Sequence, residues 1–161
     1  MEVGMYHILV VDDESRIRSI IRKYAEFDGH TVTEAGDGME AVLLCRKNEY
    51  DLIIVDSNDP FGPSEGYFTR EFYGICYNAL REDGIMVNQQ GSPFYKHDAE
   101  AMQRSHKRIV STFPISRVYQ AHIPTYAAGY WLFGFASKKY HPVDDFDAKR
   151  WLSLNLKTKY Y

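Results

Sequence analysis

Tyr50-Asp51-Leu52-Ile53-Ile54-Val55-Asp56 is the stretch on which the fold turns. From Leu52 to Val55 every side chain is apolar and three of the four are β-branched. A strand without polar alternation is buried on both faces, and such strands occur in parallel sheets covered by helices on each side. Asp56 then ends the run at the place where parallel sheets collect their ligands, the carboxyl edge of the strands.

Working outward, the same pattern recurs. His7 to Val11 is a second apolar run, ended by Asp12-Asp13-Glu14-Ser15. A helix follows, with Ile17, Ile20, Ile21 and Tyr24 spaced as one apolar stripe, and Asp13 or Ser15 can cap it. Asp28-Gly29 stops that helix, 30–35 reads as a strand, and Gly36-Asp37-Gly38 turns into a helix carrying Ala41, Leu44 and Cys45 on one side. Beyond Asp56, residues 58–66 hold Pro60, Gly62, Pro63 and Gly66 and read as a loop. A helix over 67–80 closed by Asp83-Gly84, a strand at 85–87, a helix over 97–112, strands at 115–123 and 130–137, and a last short helix within 145–154 complete the chain. The link Ala127-Ala128-Gly129 is short enough to make the final strand pair antiparallel. Strand and helix alternating in this way predict a three-layer, doubly wound α/β fold.

The chain has 161 residues, which suits one domain and needs no disulfide or metal to bury a core. No apolar run approaches the ~20 residues of a membrane span, and Met1 to Tyr6 lacks the basic start and apolar core of a signal peptide. A net charge of −3 argues against nucleic acid as a partner. Cys45 and Cys76 form no ligand cluster and read as reduced thiols, which places the chain in the cytoplasm of a recombinant host. The histidines show neither HxxxH nor HExxH spacing, and Gly36-Asp37-Gly38 is too short a signal for a nucleotide loop. Charge is uneven: residues 1–56 carry a net −6 and residues 57–161 a net +3, so the two stretches differ in character.

Two resemblances account for that asymmetry. Residues 6–56 resemble the first part of a response-regulator receiver domain, through Ile8-Leu9-Val10-Val11-Asp12-Asp13-Glu14, Ala35-Gly36-Asp37-Gly38-Met39-Glu40-Ala41 and Tyr50 to Asp56. Residues 50–161 resemble the second half of spermidine synthase, an aminopropyltransferase. The pieces that match are Asp51 to Ser57, Asp59-Pro60, Gly62-Pro63, Phe72-Tyr73, Asp83-Gly84, Gln89, Ser92-Pro93-Phe94-Tyr95, Phe113-Pro114 and Ile123-Pro124-Thr125-Tyr126. The two meet at 50–56. Taken together they imply an engineered chimera, one hybrid domain over 1–161 with a receiver-like half (1–56), a spermidine-synthase-like half (57–161) and a seam in 50–56. Its sheet would be a flavodoxin-like and Rossmann-like hybrid of about six mostly parallel strands in the order 2-1-3-4-6-5, with the sixth antiparallel.

The resemblances also nominate sites. The receiver-like half implies that Asp12, Asp13 and Asp56 gather to bind Mg²⁺, with Asp56 as a candidate phospho-acceptor. The plainer alternative is a set of strand-end carboxylates capping helices. The spermidine-synthase-like half implies that Asp56, Asp59, Gln89 and Tyr126 bind a polyamine: two carboxylates face a dication, while an amide and a phenol orient it. Since the Gly-rich loop that would approach the aminopropyl donor is replaced by Asp12-Asp13-Glu14-Ser15, the expectation is a scaffold that is not an enzyme, with Asp56 and Asp59 as remnants. It would require no cofactor, with Mg²⁺ as an optional ligand. The alternatives are a receiver-like Mg²⁺ module and a residual aminopropyltransferase fragment with weak diamine binding.

Overall fold

The computed structural model describes residues 4–56 and 69–155. Strands β1 (His7–Val11), β2 (Thr31–Ala35), β3 (Tyr50–Val55), β4 (Leu80–Gly91), β5 (Ile115–His122) and β6 (Tyr130–Ser137) form one sheet in the order β2-β1-β3-β4-β6-β5. The pairs β1/β2, β1/β3 and β3/β4 are parallel, and β6 runs antiparallel to both β4 and β5. Fold class, strand order and the reversed sixth strand are as the sequence predicts.

Helices α1 (Ser15–Phe27), α2 (Gly38–Cys45), α3 (Arg70–Ala79), α4 (Lys96–Val110) and α5 (Ala148–Ser153) lie between or after the strands. Local chemistry sets several of their ends. Gly29 adopts φ +87°, with its N–H on the Glu26 carbonyl and that of His30 on Ala25, a left-handed stop that only glycine takes at little cost. Asp37 accepts the Glu40 N–H at 2.8 Å while Glu40 Oε2 accepts the Gly36 N–H at 2.7 Å, a reciprocal cap that starts α2. Thr69 Oγ1 caps α3 through the Phe72 N–H.

Three local expectations need correction. Neither Asp13 nor Ser15 holds the N-cap position of α1: it belongs to Glu14, which makes no side-chain cap bond, and whose own N–H goes to Asp12 Oδ1 at 2.6 Å. The α1 stripe is not uniformly inward, since Ile17 and Ile21 are half-buried while Ile20 and Tyr24 are exposed. Finally, α3 ends at Ala79 rather than at Asp83-Gly84, and β4 begins at Leu80. Tyr50 pairs with Leu80 but Leu52 with Ile85, so the four residues Arg81 to Gly84 stand opposite Asp51 alone and three of them are accommodated as an irregularity. A Cβ on Gly84 would lie 2.9 Å from Leu80 Cδ2 and 3.2 Å from the Asp51 carbonyl, so a side chain there would have to displace Leu80 and crowd the backbone.

Right-handed crossovers place α1, which moves the chain from β1 outward to β2, on one face, and α2, α3 and α4, which move it the other way, on the opposite face. The main core lies under the latter three. Leu9, Val11, Ile53, Val55 and Met86 meet Ala41 and Cys45 of α2, Phe72, Tyr73 and Cys76 of α3, and Ile109 of α4. The Tyr73 hydroxyl meets Ser105 Oγ at 2.8 Å, tying α3 to α4. On the other face Ile8 and Val10 are buried beneath α1, but Leu52, Ile54, Ile85, Val87, Phe133 and Phe135 are only half-buried. Among the described residues no helix packs on β3, β4 and β6 from that side.

Candidate functional site

Register decides which side chains meet at the carboxyl edge. Val11 is aligned with Ala35 and with Val55, and Val55 with Asn88. The ladder runs one residue further, with the Asp12 N–H on the Ala35 carbonyl at 3.1 Å and the Asp56 N–H on the Val11 carbonyl at 2.8 Å. Asp12 and Asp56 therefore sit side by side just past the ends of β1 and β3, and Gln89, two residues before β4 ends at Gly91, lies level with them on the neighbouring strand. By strand alternation all three belong to the half-open face, in line with Val10, Ile54 and Val87. Gln89 is aligned with Phe133, whose ring stacks on Tyr119 with centroids 5.5 Å apart, so the row continues as an aromatic floor.

Tyr126 stands in the link between β5 and β6, at the same edge. The Ile123 N–H bonds to the Gly129 carbonyl at 2.8 Å and the Tyr126 N–H to the Ile123 carbonyl at 3.0 Å, closing the link into a tight turn. Its ring packs edge-on against Trp131 at 4.6 Å. Asp59 falls in 57–68, outside the described residues. Of the four residues nominated for a polyamine, the sheet brings Asp56 and Gln89 together and places Tyr126 on the same rim.

The electrostatics of the edge are one-sided. Asp12 is 4% exposed, and burial is the main reason its carboxyl is pushed above the ordinary range. The Glu14 N–H opposes that shift, while the Asp13 and Glu14 charges add to it. Arg18 reaches over to donate to the Asp12 carbonyl at 2.5 Å and pairs with Glu34 at 3.2 Å. The Asp56 carboxyl is also raised, first by burial and then by repulsion from Asp12, Asp13 and Glu14. A crowd of carboxylates in a partly dry crevice favours either a bound proton or a bound cation. Among the described residues, however, no three His, Cys, Asp or Glu side chains are placed to hold a metal ion. The expected Mg²⁺ trio of Asp12, Asp13 and Asp56 thus finds no support, and one oxygen of Asp12 is already committed to the backbone of Glu14.

Sequence reasoning missed what lies behind Gln89. On the opposite face of β4, Asn88 and Gln90 are buried, with Gln90 Nε2 on Asn88 Oδ1 at 3.5 Å and Asn88 Nδ2 on the Gln89 carbonyl at 3.2 Å. Gly134 of β6 makes room for them: a Cβ there would collide with Asn88 Oδ1 and Gln90 Nε2. A glycine in the middle of an apolar strand, Trp131-Leu132-Phe133-Gly134-Phe135, is the signal that could have found this contact.

Comparison with known proteins bears on the whole chain. The spermine/spermidine synthase domain family matches residues 13–147. A polyamine aminopropyltransferase of Clostridium beijerinckii is 55% identical over 157 residues, covering 94% of this chain and 55% of that protein. One from Alkaliphilus oremlandii is 62% identical over 125 residues, covering 78% and 44%. The chain thus spans about half the length of the curated relatives it matches. A spermidine synthase solved with the transition-state analogue AdoDATO superposes with a TM-score of 0.76 at 31% identity, covering 99% of this chain and 64% of that one. The spermidine synthase of Thermotoga maritima gives 0.73 at 30% identity, covering 99% and 63%.

These matches run straight through 50–56, so the engineered chimera with a receiver-like half is overturned. The pieces that suggested a receiver are an apolar strand ending in acid, a Gly-Asp-Gly turn and a second such strand. Any parallel α/β sheet needs buried strands with polar ends, and such short pieces do not separate one family from another. The expectation of a scaffold that is not an enzyme falls with it, because the relatives are enzymes by name. The chain belongs to the spermine/spermidine synthase family.

Proposed function

We propose that the chain carries the diamine-binding part of an aminopropyltransferase and that its carboxyl edge receives a polyamine substrate. The observation that carries this reading is the placement of Asp56, just past β3, level with Gln89 of the neighbouring β4 and on the same face, beside the buried Asp12. A diamine is a dication near neutral pH, and a crevice of carboxylates that repel one another is stabilised by such a guest. Transfer of an aminopropyl group from a sulfonium donor requires the attacking amine to be neutral and to lose a further proton as the new C–N bond forms. A carboxylate whose proton affinity is raised accepts it more readily than an ordinary one. Asp56 supplies that carboxylate, Asp59 the second anionic contact, Gln89 an amide that orients the chain of the substrate, and Tyr126 a phenol at the rim. Residues 4–155 act as one unit in this reading, because β3, which delivers Asp56, is held between β1 and β4.

Incubation with putrescine and decarboxylated S-adenosylmethionine, followed by chromatography for spermidine, tests the proposal. Spermidine should form and Asp56→Asn should abolish it, while calorimetry should show putrescine binding that weakens in Gln89→Ala. A folded chain that neither binds putrescine nor makes spermidine would overturn the reading.

A further inference from the structure

The helices over the packed face carry a concentration of positive charge that the proposed polyamine chemistry does not use. Arg104, Lys107, Arg108 and Ser111 follow one another at i, i+3, i+4 and i+7, on one side of α4 and its C-terminal cap. With Arg70, the first residue of α3, they line an open cavity of about 380 Å³. Arg70, Arg104 and Lys107 are exposed and Arg108 is half-buried. Tyr73, one turn on from Arg70, bonds through its hydroxyl to that of Ser105, the neighbour of Arg104, at 2.8 Å. The two helices that present the cations are thereby fixed to each other.

Helix energetics account for only part of this cluster. Lys107 and Arg108 stand in the last turn of α4, where a cation offsets the helix dipole. Arg104 lies a turn earlier, at i,i+3 and i,i+4 from those two, where like charges weaken a helix. Arg70 heads the first turn of α3, the end of a helix that disfavours a cation. Glu71, the one acidic residue of that turn, offsets a single charge of the four. The net charge of the whole chain is −3, so the patch inverts the prevailing sign. Ser111 Oγ donates to the Arg108 carbonyl at 2.7 Å, which leaves recognition of an anion to the cations. A guanidinium presents paired N–H donors that match two oxygens of a phosphate. One phosphate group carries about −1.5 to −2 near neutral pH, too little for this cluster, whereas two or three linked phosphates match it.

We propose that this cavity binds the di- or triphosphate group of a small molecule, at a site that shares no residue with the carboxyl edge. Calorimetry on the full chain tests it, at low and at physiological salt, with sodium tripolyphosphate, pyrophosphate and ATP as probes and citrate as a carboxylate control. Tripolyphosphate should bind one to one, more tightly than pyrophosphate or citrate, and more weakly as salt rises. Arg104→Ala and Arg108→Ala should each weaken it by about tenfold or more. Arg104→Lys should also weaken it, because the charge is kept but the fork is lost. Circular dichroism should show every variant folded, since none of these side chains belongs to the core. ATP binding as tightly as tripolyphosphate assigns the site to the phosphate chain alone, and ATP binding more tightly assigns it to a nucleotide; either result upholds the proposal. Four outcomes would overturn it: no binding at low salt, binding that both alanine variants leave unchanged, citrate bound as tightly as tripolyphosphate with Arg104→Lys harmless, or a single-stranded RNA bound through these arginines while tripolyphosphate is not.

Discussion

Ile53 and Ile54 are neighbours in β3 and have different surroundings. Ile53 points toward α2 and α3 and is 0% exposed. Ile54 points to the other face, where α1 covers β1 but no described helix continues over β3, β4 and β6, and it is half-buried. The same contrast holds along β4, between Met86 and Val87, and along β6, between Ala136 and Phe135. One face of the sheet is a packed core. The other is a shallow apolar floor that runs up to Asp56, Gln89 and the Phe133–Tyr119 stack. Stability thus resides on one side of these strands, and the substrate contact proposed above would fall on the other. A substitution on β3 or β4 should be readable as one or the other from its parity alone.

The largest effect that would break this comparison is removal of 1–56. Without that stretch β4 becomes an edge strand and the packed face loses Leu9, Val11, Ile53 and Val55. An isolated 57–161 fragment should show no cooperative urea transition, since its remaining core is too small and its new edge is unpaired. A sharp transition in that fragment would mean that the packed face is not one unit.

Next in size is the pair Ile53→Ala and Ile54→Ala. The first leaves a cavity in a dry core and should cost about 3–4 kcal/mol in urea unfolding. The second removes a side chain that water already touches and should cost about 1 kcal/mol. Equal losses would show that the second face is as well covered as the first. Smaller again is Gly134→Ala, whose methyl group must displace Asn88 and Gln90. It should cost about 1–3 kcal/mol, as overpacking does. Because Asn88 holds the Gln89 carbonyl, it should also weaken putrescine binding more than Ile54→Ala does.

Much of this arrangement is legible in the sequence, for identifiable reasons. Strand order and the reversed β6 follow from apolar runs and one short link, features that crossover geometry leaves little freedom to satisfy otherwise. Asp56 is legible because it follows an apolar strand, which places it at the carboxyl edge; Gln89 is legible only in part, since β4 continues through it to Gly91. The start of β4 is not, because Leu80 continues the apolar spacing of α3 and the irregularity at Arg81 to Gly84 depends on the Asp51 carbonyl from another strand. The Asn88–Gln90 pair is hidden for the same reason, since the space it occupies is created by Gly134 from β6, 46 residues beyond Asn88. The receiver-like reading of the first third failed for an opposite cause: its matching pieces were short and local, and local strand-end chemistry is shared by unrelated sheets.

The smallest expected effect concerns the acidic edge itself. Asp56 binds its proton more tightly in the folded chain than in the unfolded one, where the carboxyl titrates near pH 3.9. A group raised in this way contributes its full relative stability below the unfolded pKa and loses it as pH rises through the folded pKa. At neutral pH the wild-type chain therefore carries an ionised Asp56 against burial and against Asp12, Asp13 and Glu14. Asp56→Asn removes that charge and keeps the shape. It should stabilise the chain at pH 7 by about 0.5–1 kcal/mol, a modest figure because the site is partly open to water. Near pH 3.5, where most of the wild-type carboxyl is protonated in both states, the difference should shrink to a small remainder. Melts of the two chains at both pH values check this, and putrescine should raise the wild-type midpoint at pH 7 more than that of Asp56→Asn. A stabilisation that persists unchanged at pH 3.5 would come from packing rather than charge. The half-open face would then owe nothing to repulsion at its rim, and the polyamine reading would lose its electrostatic basis.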